Sequence, residues 1–140
     1  MLISFDELEK FIDKQDVSFI TSVDEAGFSN IKAMLPPRKR EGLTVFYFTT
    51  NTSSMRVGQY RTNPKAAIYF YHKGAVHYQG VMLIGTMAVL EDEATKQMIW
   101  KPSDRVYYRQ GVADPDYCVL RFVATSGRYY SDLKTESFTL

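Results

Sequence analysis

Between Phe48 and Pro64 the chain reads FTTNTSSMRVGQYRTNP, a stretch in which hydroxyls and the first of two guanidiniums, that of Arg56, fall at a spacing that suits an anion. Thr49 and Thr50 close an apolar run. Ser53 and Ser54 then open a segment, residues 54–62, that reads as a short helix. The N–H groups of a first helical turn lack partners within the helix, and the helix dipole is positive there. An oxyanion at this point meets backbone donors, serine hydroxyls and Arg56, whose guanidinium can make two parallel hydrogen bonds to a phosphate. A ligand with a phosphate at one end and a flat polar ring at the other fits the set, with Thr49 and Thr50 facing the ring. The same residues also spell an ordinary serine N-cap followed by a solvated arginine. Serine N-caps are common, and pattern alone favours that plainer reading.

The flanking segments are of the kind that positions such a turn. SFDELEKFIDKQ carries a capping-box pattern, Ser4 with Glu7, ahead of Phe5, Leu8, Phe11 and Ile12 at helical spacing, which predicts a helix over 5–14. VSFITSV and FSNIKAML alternate around the turn signal DEAG and predict a hairpin. PPRKREG reads as a solvated loop, and LTVFYFTT as a third strand, apolar on both faces. KAAIYFY is a fourth strand and VHYQGVMLIGTMAVL a long fifth, with Gly80 and Gly85 marking a bulge, a bend or a close ligand. A short helix from near Glu91, a loop over KPSDRVYYRQGVADPD, a sixth strand YCVLRFVAT, a turn at SGRYYSD that pairs back, and a polar tail complete the chain. The expected fold is mainly β, a six- to seven-stranded antiparallel barrel with flanking helices, in one domain over residues 1–140.

Composition narrows the function classes. A net charge of +1 offers no field to steer nucleic acid, although ten Tyr and nine Phe would suit base stacking. A lone cysteine, Cys118, excludes an intrachain disulfide and makes the cytoplasm the default setting. MLISFDELEKF lacks the basic region of a signal peptide, and no apolar run approaches the ~18 residues of a membrane span.

The order NIKAML, LTVFYFTTNTSSMRVGQYRTNPKAAIYFY, QGVMLIGTMAVLED resembles the FMN-binding split barrel of the pyridoxamine 5'-phosphate oxidase-like superfamily. It is most similar to the short general-stress-protein-like and nitroimidazole-resistance-like members. The resemblance covers roughly residues 5–132 and reverses the preference for a plain N-cap. It implies FMN as cofactor and a homodimer with the flavin at the subunit interface. Carried over, Thr49 and Thr50 face the polar edge of the flavin ring, and Ser54 and Arg56 grip the phosphate with Ser53 and Met55 beside them. The family's basic residue on the second strand corresponds to Lys32 in the run Lys32-Ala33-Met34, where a point charge replaces a bidentate arginine. A glutamine that approaches the flavin in the oxidase falls at about Gly80 here, leaving a backbone contact. No segment matches the oxidase's C-terminal Arg- and His-bearing extension, so oxidation of pyridoxamine phosphate is not expected.

The resemblance therefore implies an FMN-dependent oxidoreductase of unknown substrate or, as the alternative, a non-catalytic flavin-binding carrier or sensor linked to stress. No catalytic residue stands out. His72 and His77 match no zinc spacing, and no metal site is expected. Cys118 reads as a buried thiol, and Asp104, Asp114 and Asp116 as residues of a solvated loop. Trp100, Tyr107 and Tyr108 suit either a pocket wall or a dimer contact. Tyr129 and Tyr130 resemble a family aromatic pair near the partner's flavin, with core packing an equal reading.

Overall fold

Alternation and capping carry most of the architecture in the computed structural model, which describes residues 2–140. Ser4 Oγ accepts the Glu7 N–H at 3.1 Å and starts α1 (Phe5–Asp13), which turns Leu8, Phe11 and Ile12 inward. The strands are β1 (Ser18–Val23), β2 (Ser29–Met34), β3 (Lys39–Glu41), β4 (Val45–Asn51), β5 (Lys65–Lys73), β6 (Tyr78–Leu90), β7 (Tyr117–Ser131) and β8 (Lys134–Thr139). Two further helices are α2 (Met55–Thr62), between β4 and β5, and α3 (Glu93–Ile99), between β6 and β7. All strand pairs are antiparallel, in the order β2-β1-β5-β6-β7-β4-β3, with β8 also on β7. The sheet forms a split barrel around Ile20, Phe46, Phe48, Ile68, Phe70, Leu83 and Phe122, each at most 1% exposed. Burying one such side chain contributes about 1.5–3 kcal/mol. Among the described residues no helix is long and apolar enough to cross a membrane.

The strand count is eight rather than six or seven, and the additions lie where side chains are polar. β3 occupies part of the expected loop PPRKREG: Lys39 pairs with Tyr47 and Glu41 with Val45. That cluster is not merely solvated. Arg40 is held by Glu9 and Asp13 of α1, each at 2.6 Å, and Arg38 reaches across to Asp104. β8 is the expected polar tail, pinned through half-buried Glu136 and Phe138. The expected turn at SGRYYSD is instead the continuation of β7. Gly127 serves packing there, since a Cβ would stand 2.6 Å from the Phe138 ring, and the turn lies beyond it at Asp132, φ 53°.

β4 is not apolar on both faces in effect: Phe46, Phe48 and Thr50 are buried while Tyr47, Thr49 and Asn51 are half-buried. β7 pairs with β6 along one edge, and with β4 and then β8 along the other. The change comes at a bulge between Ile84 and Gly85. A side chain at Gly85 would run into the Val123 carbonyl, so the bend requires glycine. α2 docks on β1 by burying Val57 and Tyr60, and the Tyr60 hydroxyl donates to the Thr21 carbonyl at 2.7 Å. This fixes the helix's N-terminus at the end of β4.

Candidate functional site

The turn between β4 and α2 is held from outside by one residue. Thr52 N–H donates to the Asp116 carbonyl (2.7 Å) and Ser53 N–H to the Asp116 carboxylate (2.8 Å). Ser54 N–H donates back to the Asn51 carbonyl (3.0 Å), and Asn51 Nδ2 to Ser53 Oγ (2.9 Å). The turn is therefore closed without the Ser54 side chain. Ser54 occupies the N-cap position of α2 with extended backbone, yet its hydroxyl makes no capping bond. The contrast with the other helices is direct: Ser4 caps α1, and the Asp92 carboxylate caps α3 at 3.0 Å. Those two helices also carry acidic residues in the first turn, and α2 carries none. No acidic residue of its own first turn offsets its dipole, and the neighbouring carboxylate, Asp116, is taken up by the Ser53 N–H.

Ser54 Oγ and Arg56 Nε are both buried and without a hydrogen-bond partner. A buried polar atom left unpaired costs about 1–3 kcal/mol, so two at one turn mark a place prepared for something else. The far end of the Arg56 guanidinium is steadied by Thr50, whose Oγ1 accepts from Nη2 at 3.0 Å. Thr52 Oγ1 is also buried and lacks a conventional partner; it interacts with the weakly hydrogen-bonding thiol of Cys118. Burial pushes that thiol's pKa up, which leaves it inert.

A cavity of about 240 Å³ opens beside these groups. Thr49, Thr50, Asn51 and Arg56 form its polar side, and Met34, Leu35, Pro36 and Phe48 an apolar one. The third wall is the strap between α3 and β7, which contributes Asp104, Tyr107 and Tyr108. The strap is no solvated loop. Asp104 is 3% and Asp114 8% exposed, and short 3-10 turns at Pro102–Val106 and Gly111–Ala113 shape it. Burial alone would raise the Asp104 carboxyl, but hydrogen bonds from Arg38 and the Lys101 N–H outweigh it and hold the group below the usual carboxylate range. Tyr108 and Tyr117 pack at 5.1 Å between ring centroids, with Trp100 against both. Burial pushes each of the two phenols up to about 12, so both stay protonated at neutral pH.

Of the residues singled out by sequence, Ala33, Met34, Thr49, Thr50 and Arg56 line this cavity, and the Ser54 hydroxyl is buried at the turn beside it. Ser53 and Met55 are exposed on the same turn, Met55 at 77%. Lys32 is exposed on β2 and does not line the cavity. Gly80 lies elsewhere in the sheet, paired with Tyr71 and Tyr130, and a side chain there would strike the Tyr69 hydroxyl. Tyr129 is a core residue, 3% exposed, and its hydroxyl accepts from Gln79 Nε2 at 2.7 Å. His77 pairs with Asp132. Among the described residues no group of three or more His, Cys, Asp and Glu side chains is placed to hold a metal ion. Arg38, Asp104 and Asp116 were missed as site residues, and only their folded proximity reveals them.

The family model for proteins like pyridoxamine 5'-phosphate oxidase matches residues 4–139. The chain belongs to the pyridoxamine 5'-phosphate oxidase-like family. No curated protein matches it in sequence. Among solved structures, this family member is similar to a Clostridium acetobutylicum protein related to general stress protein 26, of the pyridoxinephosphate oxidase family. The two are 35% identical with a TM-score of 0.86, over 97% of this chain and 94% of that one. A NimC/NimA family protein from the same organism shares the fold at 23% identity and TM-score 0.71, over 97% and 93% of the two chains. A heme binding protein from Mycobacterium smegmatis shares it at 15% identity and TM-score 0.76, over 98% of this chain and 58% of that one.

The unused Ser54 hydroxyl yields a prediction. In the ligand-free protein Ser54→Ala should leave thermal stability unchanged or slightly raised, because a buried unpartnered hydroxyl is removed. Ser4→Ala should cost about 1 kcal/mol, because a real capping bond is lost. Equal destabilisation of the two variants in thermal melts would mean that Ser54 caps α2 after all.

Proposed function

We propose that this protein binds FMN as a homodimer and acts as a flavin-dependent oxidoreductase. The observation that carries the reading is the pair of buried, unpartnered donors, Ser54 Oγ and Arg56 Nε, at the uncapped start of α2. A terminal phosphate dianion satisfies both, together with the free N–H groups of the first helical turn. Thr49 and Thr50 then offer polar contacts to the flavin ring, and Met34, Leu35 and Phe48 its apolar surroundings. FMN, when bound, supplies hydride or single-electron chemistry, and the protein's share is position, electrostatics and exclusion of water. The one carboxylate lining the cavity, Asp104, is committed to Arg38, which suits hydride transfer because it needs no general base. Haem is the competing cofactor, given the heme-binding neighbour. Neither histidine lines the cavity to serve as an axial ligand, which favours FMN.

The dimer reading rests on one face of the sheet. Phe19, Ile31, Ala33, Tyr69, Tyr71, Tyr78 and Tyr130 share the outward side of β1, β2, β5, β6 and β7 by register. Tyr69, Tyr71, Tyr78 and Tyr130 form a chain of ring contacts there, each 6.4 Å between centroids. Ile31 is 70% exposed on this face. Tyrosine-rich surfaces with charge at the margin are typical of interface centres. Ala33 belongs both to this face and to the cavity lining, so a second copy seated here reaches the flavin site. This also gives Gly80, paired with Tyr71, a role toward the flavin of the partner, whereas Lys32 pairs with the core residue Ile20 and falls on the other side of β2. The buried lone cysteine accords with the reducing cytoplasm.

Titration with FMN, riboflavin and hemin tests the cofactor. FMN should bind at micromolar concentration or below and riboflavin at least tenfold more weakly, since it lacks the group that Ser54 and Arg56 hold. Absence of FMN binding, or tighter binding of hemin, overturns the reading. Light scattering should give about twice 16.1 kDa; a monomer with FMN still tightly bound removes the interface site. Bleaching of the bound flavin by NAD(P)H separates an oxidoreductase from a carrier or sensor.

A further inference from the structure

The mouth of the cavity has a hard rim. Leu35, just past β2, stands on one side and is 59% exposed; Tyr107, on the strap, stands on the other and is 71% exposed. Tyr107 is not a loose loop residue. Its N–H donates to the Asp104 carbonyl at 2.9 Å, and the Asp104 carboxylate is bound to Arg38 across the cavity. Its ring also leans on Tyr108, 6.4 Å away and inclined at 58°. An aromatic ring carried on a braced backbone at an opening, with its surface in water, is a stacking platform.

Charge selects what stacks there. Two cations line the cavity, and both are engaged. Arg38 donates to Asp104 and to the Ile99 carbonyl, and Arg56 is reserved for the cofactor phosphate on the reading above. An anionic group entering at the mouth finds no spare cation on the lining, since Arg38 and Asp104 neutralise each other.

We propose that Tyr107 and Leu35 clamp a planar, uncharged aromatic substrate against the cofactor site. The proposal rests on the FMN reading and adds the substrate class. It disfavours phosphorylated substrates, for which the lining holds no cation left over. Tyr107 is then a residue that touches substrate, and its hydroxyl is dispensable.

Calorimetric titration with menadione, a flat uncharged bicyclic quinone, tests the clamp, with pyridoxamine 5'-phosphate as the charged comparator. The titrations are run on FMN-loaded and FMN-free protein. Menadione should bind the FMN-loaded protein, Tyr107→Ala should weaken it about tenfold, and Tyr107→Phe should retain it. For the FMN-loaded titrations each variant is saturated with FMN beforehand, and dimer mass should be the same in all three. Unchanged menadione affinity in Tyr107→Ala overturns the proposal. So does pyridoxamine phosphate binding as tightly as menadione, or a Tyr107→Ala protein that falls to monomer, which would make the ring a dimer contact. If FMN fails to bind, the cofactor reading falls and the FMN-free titration decides the clamp. Tyr107-dependent menadione binding there sustains it, and none overturns it.

Discussion

Arg56→Ala is expected to weaken FMN binding by about ten- to a hundredfold, because hydrogen bonds to a charged group contribute roughly 1.5–3 kcal/mol. The side chain is placed for this. Thr50 fixes one end of the guanidinium while Nε stays buried and unpaired. Riboflavin affinity should not change in the same variant, since the group that Arg56 meets is absent from that ligand. Arg56→Lys should recover part of the FMN affinity: a point charge still attracts phosphate but loses the planar fork. Ser54→Ala should cost less, as a neutral donor is removed. The control for net charge is Lys134→Ala, on the exposed first position of β8. Arg38 and Arg40 cannot serve, because each is built into an ion pair. Equal losses from Arg56 and Lys134 in a fluorescence titration would mean that a diffuse field, not this turn, holds the phosphate.

That turn was legible because its chemistry is local. Thr49, Thr50, Ser54 and Arg56 lie within eight residues of one strand-turn-helix unit, so spacing alone brings them together. The barrel was legible for a related reason: alternating apolar residues in β1 announce one buried face, while β4, apolar on both faces by sequence, shows its single buried side only in the fold. β3 and β8 were not, because three charged residues and a polar tail carry no hydrophobic period and are strands only through their partners. Gly127 read as a turn signal, but its reason is close packing under Phe138, a contact invisible until β8 folds back. Ser54 reads as a cap by type and position; only geometry shows that its hydroxyl is left over. The third wall is the extreme case. Arg38 and Asp104 are 66 residues apart, and each reads alone as a solvated charge.

Asp104→Ala is expected to destabilise the fold by about 3 kcal/mol, the scale on which removing one partner of a buried ion pair is felt. The side chains of Arg38 and Asp104 are only 11% and 4% exposed, and the loss leaves a cation unpaired in the cavity wall. It also frees the Lys101 N–H that starts the strap, which Asp104 accepts at 2.9 Å. Urea unfolding measures the difference, and its pH dependence identifies the cause. The Asp104 carboxyl sits below its ordinary value in the folded protein, so its contribution is complete above the unfolded pKa of about 3.9. It is lost as the pH falls through the folded value. The gap between wild type and Asp104→Ala should therefore be flat from about pH 7 to 5 and close below about 4. Other depressed carboxylates, such as Asp13 beside Arg40, titrate in both proteins and cancel from the gap. A gap that stays constant through pH 3 would mean packing, not the ion pair, is what alanine removes. Replacing both partners, Arg38→Met with Asp104→Leu, should recover much of the stability, because apolar groups of similar volume carry no desolvation penalty. Recovery should stop short of wild type, since the Lys101 N–H stays unpaired. The single variant also loosens the strap that carries Tyr107, so menadione affinity should fall in Asp104→Ala while the preference for FMN over riboflavin persists. Loss of both together would mean that the strap holds the phosphate turn as well, through Asp116 and its bonds to Thr52 and Ser53.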